Sequence, residues 1–252
     1  MKPSLRSSWF WSLAGAGTLL VLWECASRLM GSELILPGPL PVFRRFLALV
    51  QTRVFLESTG RTFLRVCLGL LISAPLGIAA GLAAGLEKRA GAFLGPFFKL
   101  ISATPVMAVI LIVFLVFNAE RTPVFTVFLM VFPVLSANAL EGIHSVDPGL
   151  KEMAAAYGFS RREKLSLIYL PSIAPFILGG LKSALSLSWK VAVAAEVLVQ
   201  PFRALGTGMQ RAKAQLETAE LFAWTAATVI AAALSELLFT LLIRRWNRGG
   251  PS

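Results

Sequence analysis

Glu152-Met153-Ala154, three residues, Gly158, nine residues, then Ile168-Tyr169-Leu170-Pro171 is the spacing in this chain that could do chemistry, and that chemistry is recognition. Asp147 or Pro148 suits a helix start and Gly158 a helix stop, which predicts about two helical turns between them. Within those turns Leu150, Met153, Ala154 and Tyr157 fall at i, i+3, i+4 and i+7 and make one apolar face. So short a helix is unstable alone in water and needs a surface to dock on. Ala154 and Ala155 would let a partner's groove come close, the helix-in-groove mode. Catalytic constellations are poorly represented. His144, the only histidine, has no Cys, Asp or Ser constellation nearby, and Cys25 and Cys67 sit in apolar runs and read as packing residues. No Gly-x-x-x-x-Gly-Lys-Ser/Thr loop is present to cradle a nucleotide, so no enzyme activity and no cofactor is expected.

The elements that must position this segment are apolar. The chain has 252 residues, 56% of them hydrophobic, with a mean hydropathy of +0.74. Only 15% are charged, against roughly 25% in soluble domains, so it is an integral membrane protein. The net charge of +11 is spread over separate loops with no aromatic-and-basic module, which argues against nucleic acid. A span takes about 20 apolar residues. Six stretches fit or nearly fit: 9–30, 66–86, 100–117, 122–140, 173–198 and 221–243. This predicts an all-α, polytopic membrane helical bundle forming one domain over 1–252, with a polar loop at 141–168. Short turns between the second, third and fourth spans predict antiparallel neighbours. The Pro-rich segment 36–41 ends the first span, and 42–56 reads as a helix lying on the membrane surface.

With the N-terminus inside, the inner segments carry more Lys and Arg than the outer ones, so both termini and the polar loop are expected to be cytoplasmic. Arg44, Arg45, Arg53 and Arg61 run against this bias, and lipid headgroups at a surface helix would account for them. Gly69, Pro75, Gly77, Gly81 and Gly85 in the second span, and Gly179 and Gly180 in the fifth, favour close helix approach.

Five charges lie inside spans. Arg28 and Glu236 are expected to snorkel and Lys182 to reach headgroups. Lys190, about halfway along the fifth span, is the candidate to line a pathway and attract an anion. Trp189 and Glu196 are grouped with it, although six residues separate Lys190 from Glu196 and put them on different faces, and Glu196 reads first as a structural residue.

The spaced residues resemble the EAA loop of ABC importer permeases, the inner-membrane components of binding-protein-dependent transport systems. Glu152, Ala154, Gly158, Ile168, Leu170 and Pro171 match that pattern with Met153 in place of its first alanine. The likeness is greatest to the nitrate, sulfonate and taurine branch, through Leu36-Pro37-Gly38-Pro39, Arg65-Val66-x-Leu68-Gly69, Val146-Asp147-Pro148 and Trp189 to Glu196. The branch's Trp-Phe-Gly after the third span is replaced by Val116-Phe117-Asn118. The resemblance implies a MetI-like permease in the cell inner membrane, working as a homodimer with a cytoplasmic ABC ATPase dimer and an extracytoplasmic solute-binding protein. Glu152, Met153, Ala154, Ala155, Tyr157, Gly158, Ile168, Leu170 and Pro171 would couple it to the ATPase, and a small anionic solute would pass. A stand-alone secondary transporter, which would predict inverted repeats, and a membrane-embedded enzyme are the competing readings.

Overall fold

A computed structural model describes residues 5–248. Among them the elements are α1 (Leu5–Met30), α2 (Pro39–Val50), α3 (Arg53–Leu86), α4 (Lys88–Ala103), α5 (Val106–Val116), α6 (Thr122–His144), α7 (Pro148–Ala156), α8 (Arg161–Glu163), a π turn at Lys164–Tyr169, α9 (Leu170–Val199), α10 (Leu205–Ala214) and α11 (Thr218–Arg248). All are helical.

Several bounds differ from those expected of the sequence. The surface helix expected at 42–56 stops at Val50, because Thr52 caps a new helix by accepting the Phe55 N–H at 3.2 Å. Arg53 and Arg61 therefore belong to the long helix that contains the second span. The third span is broken. Pro105 has no N–H to donate and holds Thr104 extended, so α4 and α5 meet at a bend of 103°. The fifth span starts earlier than expected, since the π turn runs directly into α9. Cys25 is exposed rather than packed.

The bundle is built on α3 and α6. Gly69, Ser73, Gly77, Gly81 and Gly85 recur every fourth residue and all face α6. A Cβ at Gly69 would lie 2.5 Å from the Val127 side chain, and one at Gly85 would lie 2.8 Å from Ile143. Ser73 donates to the Phe128 carbonyl at 3.1 Å, and Ser136 donates back to Gly77 at 3.0 Å. Contacts advance together along both helices, from 69 with 127 to 85 with 143, so α3 and α6 are parallel. They are the second and fourth spans, so their parallel run agrees with antiparallel consecutive spans, the α4–α5 pair between them carrying the chain back. Gly142 against Ile173 and Gly180 against Asn138 set α9 antiparallel to α6. A core of Val66, Val127, Val131, Leu135, Trp189, Leu205 and Trp224 fills the space between these helices and α10–α11. The apolar window of α1 is wholly exposed. It is tied on where Trp23 donates to the Pro37 carbonyl at 3.0 Å and stacks on Phe222.

Candidate functional site

Val146 and Asp147 turn the chain from α6 into α7. Asp147 accepts the Gly149 N–H at 2.6 Å, and Pro148 occupies the first helical turn, where an N–H has no intrahelical acceptor. At the other end Gly158 adopts φ +68, which lets its N–H reach the Ala155 carbonyl at 3.2 Å and the Phe159 N–H reach Ala154 at 3.0 Å. This pair of bonds is a Schellman stop, and the left-handed residue in it favours glycine.

Ala154 has no exposed surface. It sits against Val146 and Ile168, with Phe159 and Tyr169 closing the sides. The nine-residue gap between Gly158 and Ile168 is what brings the chain back beneath α7. Ser160 and Glu163 hold the return in a reciprocal capping box, Glu163 accepting the Ser160 N–H at 2.7 Å and Ser160 Oγ accepting the Glu163 N–H at 3.3 Å. Those hydrogen bonds hold the Glu163 carboxyl below the usual carboxylate range. Pro171 follows the π turn. With no N–H to give to Leu167, it interrupts the ordinary helical ladder, and the Leu170 N–H reaches back five residues to Leu165.

The expected docking face is thus divided. Ala154 points into its own loop, so it fastens the helix rather than offering it. Leu150 at 41% exposed, Met153 at 39% and Tyr157 at 77% remain outward, and Glu152 and Ala155 flank them. Gly158, Ile168 and Pro171 shape the mount; Leu170 is exposed at its edge.

Glu196 and Lys190, grouped in the sequence, have different surroundings in the structure. Glu196 is fully buried near the far end of α9. Its oxygens accept from Thr62 at 2.9 Å, from Arg65 at 2.9 Å and from the Gly206 N–H at 3.2 Å. Arg65 also pairs with Glu120 at 2.5 Å, and Glu120 accepts the Phe202 N–H at 2.6 Å. This clasp joins α3, the α5–α6 turn, α9 and α10, an arrangement that favours the structural reading of Glu196. Thr62, Arg65 and Glu120 were not singled out from sequence as its partners. The only signal was a carboxylate in an apolar run, and nothing local says that its partner lies in α3.

Trp189 is buried, its ring 6.3 Å from that of Phe63. Lys190 is exposed in a cleft of about 450 Å³ between α9 and α11, which Trp189 and Glu236 also line.

Residues 73–249 match the family described as binding-protein-dependent transport system inner membrane component. A taurine transport system permease protein of Escherichia coli is 31% identical over 257 residues, covering 96% of this chain and 93% of the relative. A putative aliphatic sulfonates transport permease protein of Bacillus subtilis is 26% identical, covering 95% and 87%. A bicarbonate transport system permease protein of Synechococcus elongatus is 28% identical, covering 77% and 73%. Among solved structures, an amino acid ABC transporter superposes with a TM-score of 0.65 at 19% identity, covering 81% of this chain and 97% of that one. A bacterial alginate ABC transporter in complex with a pentasaccharide-bound periplasmic protein gives 0.60 at 19% identity, covering 92% of each chain. At these identities the structures speak to the fold.

Proposed function

Since this chain belongs to the family of binding-protein-dependent transport system inner membrane components, and is a multi-pass permease of an ABC importer, we propose that α7 is the part gripped by a separate cytoplasmic ATPase dimer. One observation carries this reading. A nine-residue helix, capped at both ends and fastened through Ala154 to Ile168, leaves Leu150, Met153 and Tyr157 outside the fold. Exposed apolar side chains on a rigid polar loop are what a groove on a soluble partner would take. ATP-driven closure of that partner would displace α7, and the mount would pass the displacement into α6 and α9 as alternating access.

The rest of the assembly follows from family likeness: a second copy of this chain, and an extracytoplasmic binding protein such as the periplasmic one in the alginate transporter complex. With α7 cytoplasmic, the start of α1 and the end of α11 are cytoplasmic too. Taurine, aliphatic sulfonates, bicarbonate and nitrate, the solutes named for several of the relatives, each carry an acidic group. The solute here is a small acid of that kind, and Lys190 is the cation on its route.

The test is Met153→Glu combined with Leu150→Glu, which places charge on the outward face without touching the Ala154 anchor. We expect the variant to fold yet lose co-purification of the ATPase and solute-stimulated hydrolysis. Full stimulation in that variant would remove α7 from the coupling role.

A further inference from the structure

Lys190 on α9 and Glu236 on α11 both line the cleft of about 450 Å³ described above, and both belong to apolar helices. Among the described residues, neither side chain has a hydrogen bond or an ion pair, and the two are not within bridging distance of each other. Opposite charges facing one apolar cleft, each without a partner, are costly unless something polar lies between them.

Trp189 lines the same cleft. It is 1% exposed and its indole N–H is buried with no acceptor. That N–H has no accessible surface, so Trp189 forms part of the cleft wall with its ring and offers no donor to it. The hydroxyls of Thr225 and Thr228, also on the wall, donate to their own helix at Leu221 and Trp224 and keep lone pairs for a ligand N–H. The volume suits a small molecule and far exceeds the roughly 30 Å³ share of one water.

We propose that this cleft is a subsite for a small zwitterion, Lys190 taking its acidic oxygens and Glu236 its ammonium group. The inference rests on the importer reading and narrows the solute from an acid to an amino acid-like or aminosulfonate molecule. A simple anion would leave Glu236 unpaired and an amine would leave Lys190 unpaired. A zwitterion answers both and enters the low-dielectric cleft with no net charge.

The experiment uses the assembled permease–ATPase complex in nanodiscs without binding protein, and measures equilibrium binding of taurine and of ethanesulfonate, which lacks the amine. Taurine should bind at least about tenfold more tightly, the ratio expected when one charge-assisted contact is removed. Glu236→Gln should close that gap by weakening taurine alone, and Lys190→Gln should weaken both sulfonates. Equal affinity in the wild-type complex, no binding of either, or a gap that survives Glu236→Gln would overturn the subsite. The wild-type comparison needs no variant to fold. Recovery of the ATPase with the wild-type permease reads the coupling proposal separately, so a complex that assembles and hydrolyses ATP but does not discriminate sinks the subsite alone.

Discussion

Arg65 holds two carboxylates of very different standing: Glu196, with no exposed surface, and Glu120, 45% exposed at its side chain. Removing one member of a buried pair strands the other charge and costs about 3–5 kcal/mol, whereas an exposed pair contributes about 0–1 kcal/mol. We therefore expect Glu196→Ala to lower the unfolding midpoint in detergent far more than Glu120→Ala. Equal midpoints for the two variants would contradict the clasp. Glu163 is a gentler case. Its carboxyl is held low by the Ser160 hydrogen bonds, so its contribution to the loop is present above the ordinary carboxylate range and is lost as pH falls through the lowered value. Amide exchange at residues 160–163, corrected for the intrinsic pH dependence, should lose protection at acidic pH in the wild type. The Glu163→Gln variant should show no such acid step. Of these residues, Glu163 could be read from its neighbours, because Ser160-x-x-Glu163 is a local pattern. The Arg65–Glu196 pair spans 131 positions, and no local rule joins them.

The helices that cross the membrane were readable from length and apolarity, but their ends and partners were not. A small residue every fourth position from 69 to 85, glycine at all but Ser73, announces a close approach without naming the other helix. The structure names α6 and makes the glycines unequal to others nearby. A Cβ at Gly81 would overlap the Ser136 backbone carbonyl, while one at Gly179 meets nothing within 4 Å. Overpacking of that kind costs about 1–3 kcal/mol, and an unhindered Gly→Ala in a helix returns about 0.5–1 kcal/mol. Gly81→Ala should destabilise and Gly179→Ala should be neutral or stabilising, as thermal unfolding will read; the reverse order would refute the α3–α6 contact. The short helix α7 was legible in outline, but not the division of its apolar face. Periodicity placed Ala154 on the docking face with Leu150, Met153 and Tyr157, because an apolar stripe does not say which of its members faces inward. Only the returning chain, arriving at Ile168, decides that Ala154 is the one that is covered.

At the scale of the molecule, α3 and α6 run parallel, so the bent α4–α5 pair returns the chain between them, and counted as one span it brings the candidate passages among the described residues to six. Three of these separate the α2–α3 turn from α7. In a background with Cys25 and Cys67 replaced by serine, a cysteine at Gln51 and one at Tyr157 should react with a membrane-impermeant reagent from opposite sides. Labelling from the same side would mean that α4–α5 dips in and returns. The sequence suggested six passages by counting apolar runs, but it could not show that one of them is hinged at Pro105.

The π turn carries α7's mount straight into α9, whose far end is the Arg65–Glu196 clasp. At about 1.5 Å per residue a helix of 30 residues is about 45 Å long. Swung as a stiff rod by about 5°, it would move one tip by about 4 Å relative to the other. Small angular strokes at the α7 end thus become ångström-scale shear at the opposite end, with no helix needing to stretch or melt along the way.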